Sequence, residues 1–329
     1  MVSTVEYILP LKWTGEGPIA ELADYLAALP DWVEVTVVDG SPQNWFERHE
    51  RALPPRVRIL RPDASSTGNG KVIGVLTGVR AARHDPLILA DDDVRYSAEQ
   101  LREVVCRLDD ADLVRPQNYF RELPWHARWD TARSLINRAF GSDYPGTLAV
   151  RRSILEATNG YSSEALFENL ELIRTVHAAG GREARADDVF VARIPPTARH
   201  FRAQRIRQAY DSFAQPGRLA AELAILPLAA CAARRPHRLL AGMGALIALA
   251  EVGRRRQGGR PVFPPTSALW APLWALERGL CIWLAVLSRL RGGAPYAGGR
   301  MRLAAHSKAC LGRRHAQAHT RPRQGAEAQ

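Results

Sequence analysis

Between Val5 and Ala90 the chain alternates, at short and regular spacing, between runs that suit a strand and runs that suit a helix. VEYILPL (5–11), VEVTVVDG (33–40), RVRILRP (56–62) and PLILA (86–90) are rich in β-branched and aliphatic residues and read as strands. PIAELADYLAAL (18–29), with Pro18 at a helix entry, and KVIGVLTGVRAARH (71–84) carry apolar residues at helical spacing. Such alternation predicts an α/β domain with a largely parallel sheet. In these sheets ligands bind outside the carboxyl ends of the strands. Asp39 and the run Asp91, Asp92, Asp93 fall at two such ends, so they are expected to face one crevice.

Residues 145–215 read as the second half of the same domain. PGTLAVRRSILEATNGY holds a strand and then a helix stopped at Asn159-Gly160. EALFENLELIRTVHAAGG is a helix ending at Gly180-Gly181. DDVFVARIPP is another strand, with Asp187-Asp188 as the turn before it. The character changes near Pro216. Mostly apolar runs occupy 219–233, 239–252 and 267–287, the last with Glu277 and Arg278 at its middle. A spanning helix needs about 20 apolar residues, which the first two runs lack. A charge at mid-bilayer is disfavoured by roughly 2.5–3.5 kcal/mol. Trp270, Trp274 and Trp283 are of the type that sits at headgroup level. Residues 216–290 therefore read as hydrophobic, membrane-associated helices, re-entrant or interfacial, with a soluble helical subdomain as the alternative. Beyond Arg291 the composition is that of a basic, disordered tail, 291–329.

Charge divides the same way. Residues 216–329 hold 18 basic and four acidic residues, a net of +14, whereas residues 1–215 carry a net of −3. The arginines flank apolar runs rather than interleaving with aromatics, and no nucleic-acid motif is present, so a membrane surface explains them better than nucleic acid. Four scattered cysteines without a C-x-x-C pair argue against a disulfide framework or a cysteine zinc site. MVSTVEYILPLKW enters a strand directly, with Glu6 inside it, so no secretory leader is expected.

Asp91 and Asp93 are hard oxygen donors that suit Mg²⁺ or Mn²⁺, metals usually shared with substrate phosphates. The competing reading is an acidic turn at the start of the helix YSAEQLREVVCRL.

GNGKVIGVLTGVRAARHDPLILADDDVRY (68–96) resembles the donor-site segment of the family 2 glycosyltransferases, and within them the ceramide- and lipid-glucosyltransferase branch. VVDGSP (37–42) is similar to the family's VVDDGS. PGTLAVRRSILEATNGYSSEALFENLELIRTVHAAGG (145–181) is similar to its G-x-x-x-A-x-R-R run and acidic helix, and FRAQRIRQAYDSF (201–213) to its Q-x-x-R-W element. The resemblance covers roughly residues 4–290. It implies a glycosyltransferase A-type fold, Rossmann-like, over residues 1–215. It also implies inverting transfer from a nucleotide-sugar donor to a hydroxyl acceptor, such as that of a lipid, at the cytoplasmic face of the cell membrane. In the residues that match, Asp39 would bind the base or ribose, and Asp91 and Asp93 would hold Mn²⁺ or Mg²⁺ on the diphosphate, with Asp92 between them. Lys71 would lie near the donor, and Gln204, Arg205 and Arg207 would face the leaving group or acceptor.

Three positions depart from the pattern. The family's acidic pair reads Glu168-Asn169 here, and an asparagine cannot accept a proton, which leaves Glu168 or Glu171 as the base. Gln208 replaces the family's tryptophan. The turn after the first strand reads LKWTG. A catalytically impaired, nucleotide-sugar-binding protein of the same fold is the second expectation. A sugar nucleotidyltransferase is a third, and LKWTGEG suits its phosphate loop poorly.

Overall fold

The computed structural model describes residues 4–141 and 143–320. The elements follow in the order β1 (Val5–Leu11), α1 (Ile19–Ala27), β2 (Val33–Asp39), α2 (Gln43–Ala52), β3 (Val57–Leu60), α3 (Gly70–Ala81), β4 (Pro86–Ala90), β5 (Val94–Arg95), α4 (Ala98–Arg107), β6 (Leu113–Phe120), α5 (Trp125–Phe140), β7 (Thr147–Arg151), α6 (Arg152–Ala157), α7 (Glu168–Ala178), β8 (Glu183–Arg193), α8 (Ala198–Tyr210), α9 (Pro216–Ala233), α10 (Pro236–Arg255), α11 (Ala271–Leu290), β9 (Ala294–Tyr296), β10 (Gly299–Met301) and α12 (Lys308–Thr320).

One eight-stranded sheet runs β3-β2-β1-β4-β7-β6-β8-β5. Strands β1 to β4 pair in parallel, β7 is antiparallel to both β4 and β6, and β6 is parallel to β8. Side chains alternate along β1: Tyr7 and Leu9 enter the core beneath α1 and α4, whereas Ile8 enters the one beneath α3 and α7. Helices therefore cover both faces, which is why the strands read as nearly continuous apolar runs. Helix α3 lies so close to β1 that a Cβ at Gly78 would fall 2.5 Å from Ile8 Cγ2. Glu6, fully buried in β1, accepts from Thr36 Oγ1, the Arg83 amide and Arg58.

Three expectations are corrected. Asp187 and Asp188 are not a turn before a strand. They lie inside β8, looped out where Pro116 pairs with Ala186 and the next residue, Gln117, with Phe190. The tail beyond Arg291 is not disordered over its described part, while residues 321–329 lie outside the described residues. Gly292 and Gly293, at φ +99° and +125°, reverse the chain after α11. The hairpin β9–β10 follows, and the amides of Leu166 and Phe167 then bond to the Leu303 and Ala304 carbonyls. Ala294, Met301 and Ala304 supply the apolar contacts that hold this return. Finally, two of the three headgroup tryptophans face inward: Trp274 is buried, and Trp270 packs on Trp129 at 6.3 Å.

Helix α10 packs against α5, α11 against both α5 and α8, and α9 against α10 and α11. Pro216–Ala233 and Pro265–Leu290 are long and apolar enough to cross a bilayer, both at mean hydropathy 1.3. Yet α11 buries Arg278 completely on its inner face and exposes Leu273, Leu276, Leu280, Trp283, Leu284 and Leu287 on its outer face.

Candidate functional site

The site forms where β4 ends. The Asp91 amide bonds to the Gly146 carbonyl (2.9 Å), just before β7 begins. A Cβ at Gly146 would sit 2.7 Å from Asp91 Oδ2 and 3.2 Å from Arg193 Cζ, so glycine keeps that side of the carboxylate clear. The Gly146 amide is held in turn by Asn118 Oδ1 at 2.7 Å. Lys71 comes from the first turn of α3, whose N-cap Asn69 accepts the Lys71 amide at 3.1 Å. Its Nζ lies 2.6 Å from Asp91 Oδ1 and 2.7 Å from Glu168 Oε1. Arg193, the last residue of β8, donates from Nε to both oxygens of Asp93 at 3.1 Å and from Nη2 to Oδ2 at 2.6 Å. Asp92 accepts from Trp13 Nε1 at 2.5 Å.

These charges shape one another. Burial is the largest influence on Asp91 and raises it. Lys71 opposes that, Asp93 adds to it, and the carboxyl stays above its ordinary range. Asp92 is also raised, by burial and then by Asp93. Burial works against the charge of Lys71, but Asp91 and Glu168 outweigh it and hold the amine protonated. Glu168 opens α7, where a helix N-terminus favours an anion. Burial raises it, Lys71 and Arg207 more than compensate, and it stays ionised below the usual carboxylate range.

Not every expected residue joins this cluster. Glu171 is fully buried, and its two oxygens accept the His306 amide (2.8 Å) and face Nδ1 (2.7 Å). It anchors the returning C-terminal segment and is not placed to act as a base. The Asn169 amide nitrogen donates to the Pro145 carbonyl at 2.7 Å. Asp39 is fully buried rather than open to a crevice. It accepts from the Ser41 amide (2.8 Å) and meets His49 Nδ1 at 2.7 Å, so it shapes the loop after β2. That loop still reaches the acidic run, because the Trp13 amide donates to Ser41 Oγ while its indole holds Asp92.

On α8, Arg207 approaches Glu168 and stacks over Tyr296 at 5.3 Å. Arg205 points away, to Asp130 (3.2 Å) and Glu277 (3.6 Å). Residues two apart on a helix do not share a face, so both arginines cannot serve one site. Gln204 contacts His200. Three site residues were not singled out from sequence: Trp13, Arg193 and Asp211. Asp211 has an Oδ1 without a partner among the described residues and is pushed up to about 7, first by burial. Only the odd LKWTG turn could have flagged Trp13.

The donor set fits a divalent metal. Asp91 and Asp93 offer hard oxygens at one strand end, and the absence of a Cβ at Gly146 leaves Asp91 Oδ2 uncrowded.

No protein-family model and no curated protein matches the chain. Solved structures do. A mannosyltransferase from Pyrobaculum calidifontis, PcManGT, in complex with GDP-Man and Mn²⁺, overlaps with a TM-score of 0.52 at 19% identity, covering 85% of this chain and 87% of that one. TarS residues 1–349 from S. aureus, with UDP-GlcNAc, give 0.43 at 16% identity over 61% of each chain. Glucosyl-3-phosphoglycerate synthase from Mycobacterium tuberculosis, with Mn²⁺, UDP and phosphoglyceric acid, gives 0.42 at 17% over 61% and 74%. The chain has the glycosyltransferase A-type fold of the nucleotide-sugar glycosyltransferases.

Proposed function

We propose that the protein is a metal-dependent, inverting glycosyltransferase that moves a sugar from a nucleoside-diphosphate sugar to a hydroxyl acceptor. The observation that carries this is the junction of Asp91, Asp93, Lys71, Arg193 and Glu168 at the end of β4. Asp91 and Asp93 would hold Mn²⁺ or Mg²⁺, which when bound neutralises diphosphate charge. Lys71, Arg193 and Arg207 supply the cations that a departing diphosphate requires. Glu168, kept ionised, accepts the proton of the acceptor hydroxyl as its oxygen bonds to the anomeric carbon. The carbon–oxygen bond to the donor breaks on the opposite side, and its electron pair leaves with the nucleotide. In-line attack inverts the anomeric centre.

The acceptor is read as a lipid at the cytoplasmic face of the membrane. The outward leucine face of α11, with Arg289 and Arg291 at its end and Arg234, Arg235 and Arg238 where α9 gives way to α10, suits a surface of anionic headgroups over an acyl layer. A groove of about 1470 Å³ between α5, α9, α10 and α11, lined by Ile225, Leu228, Met243, Leu246 and Leu273 among others, is apolar enough for a hydrocarbon chain. The test is release of nucleoside diphosphate from UDP-, GDP- and TDP-sugars with Mn²⁺ and detergent-dispersed membrane lipid. Lipid-dependent release that Asp91→Asn abolishes supports the reading. No release with any donor counts against it and favours a nucleotide-sugar-binding protein, the reading that Asn169 motivates.

A further inference from the structure

We infer that Arg193 is a donor-binding residue that closes the metal position until a nucleotide arrives. This rests on the donor-site reading above. Arg193 grips Asp93 through three contacts of 3.1, 3.1 and 2.6 Å, and its Nη2 lies 4.0 Å from Asp91 Oδ2. Lys71 holds the other oxygen of Asp91. Both carboxylates that would hold a cation are therefore already neutralised from within the chain.

A divalent ion entering alone would have to take Asp93 from a guanidinium that keeps its full charge. The other acids that act on Arg193 are Asp91, itself a ligand, and Asp130, already committed to Arg133 and Arg205. A diphosphate supplies what is missing. Its paired anionic oxygens match the planar fork of a guanidinium, which can bond them bidentately. The backbone beneath Arg193 is fixed: the next amide, Ile194, donates to the Asp93 carbonyl at 2.9 Å, and Pro195-Pro196 follow. Phe120 lies 5.9 Å from the guanidinium carbon and offers it an aromatic face. The side chain is a quarter exposed, so rotation about its own bonds carries the charge from Asp93 to a nucleotide above Asp91. Gly146 permits this crowding, since a Cβ there would press on both Asp91 and Arg193. Metal and nucleotide thus enter as a pair, and Arg193 passes from carboxylate to diphosphate as they do.

The test is titration of Mn²⁺ followed by electron paramagnetic resonance, with and without UDP or GDP, on wild type, Arg193→Gln and Arg193→Lys. Wild type should bind Mn²⁺ at least tenfold more tightly with its nucleotide than without. Arg193→Gln should bind Mn²⁺ alone about tenfold more tightly than wild type, and nucleotide with Mn²⁺ about tenfold more weakly. Arg193→Lys keeps the charge but loses the fork, so it should show both shifts at smaller size, and it serves if the glutamine variant does not fold. If wild type binds nucleotide with Mn²⁺ and neither variant moves either affinity, the role of Arg193 is overturned and the donor site stands. If wild type binds no nucleotide with Mn²⁺, both readings fall together.

Discussion

Lys71 Nζ lies 2.6 Å from Asp91 Oδ1 and 2.7 Å from Glu168 Oε1, so one ammonium ties Asp91, proposed as a metal ligand, to the carboxylate proposed as base. The bridge joins residues about a hundred positions apart in sequence, one at the start of α3 and the other at the start of α7. Replacing the amine should therefore disturb two functions. In Lys71→Met, affinity for nucleotide with Mn²⁺ should fall at least tenfold. The remaining activity should also show its acid limb at higher pH. Glu168 must be ionised to act, Lys71 is the strongest influence lowering its pKa, and without it the carboxyl protonates at higher pH. A rate–pH profile reads this shift.

Glu168→Gln should lower kcat by roughly 10²–10⁴-fold, the usual contribution of a positioned base. Asn169→Asp should give no gain, because that side chain is turned to the Pro145 carbonyl. A large gain in turnover from Asn169→Asp would instead mark the wild-type chain as catalytically impaired.

Asp211 makes stability depend on pH. Its folded-state pKa of about 7 lies above the ordinary value of 3.8. Between these values the folded chain holds a proton that the unfolded chain has lost, so this contribution is fully present at acid pH and is lost as pH rises through about 7. Asp211→Asn removes the dependence. Urea unfolding should find the variant close to wild type at pH 4 and about 1–3 kcal/mol more stable than wild type at pH 8.

Leu273, Leu280 and Leu287 recur every seven residues along the exposed face of α11. Changing all three to Gln should abolish sedimentation with anionic vesicles while leaving the thermal midpoint close to that of wild type. The inner face of the helix, with Trp274, Arg278 and Ile282, is untouched. Wild-type protein that stays in the supernatant would contradict membrane association.

The first half of the sheet was legible because each strand is a short apolar run closed by a turn, and because the acidic run sits directly on PLILA. The direction of β7 was not, since a buried strand reads alike in either orientation. Arg193 escaped because nothing local distinguishes it. Its role comes from β8 ending beside β5, where Val94 pairs with Arg193. Spacing placed Glu171 on the same helix face as Glu168, and the tail that claims it through His306 looked compositionally unfoldable. Those few apolar residues fold only because α7 and α11 already present a surface to receive them. The angle between Arg205 and Arg207 was readable from helix geometry, although the partner of each was not.

The most direct measurement is the thermal midpoint of the purified protein with UDP, GDP, TDP and CMP, each with and without Mn²⁺, beside Asp91→Ala and Asp93→Ala. A ligand that binds only the folded state raises the midpoint. The account predicts a Mn²⁺-dependent rise for one nucleotide, absent in both variants. No shift with any nucleotide, and variants indistinguishable from wild type, would make the acidic run a turn and contradict the donor site.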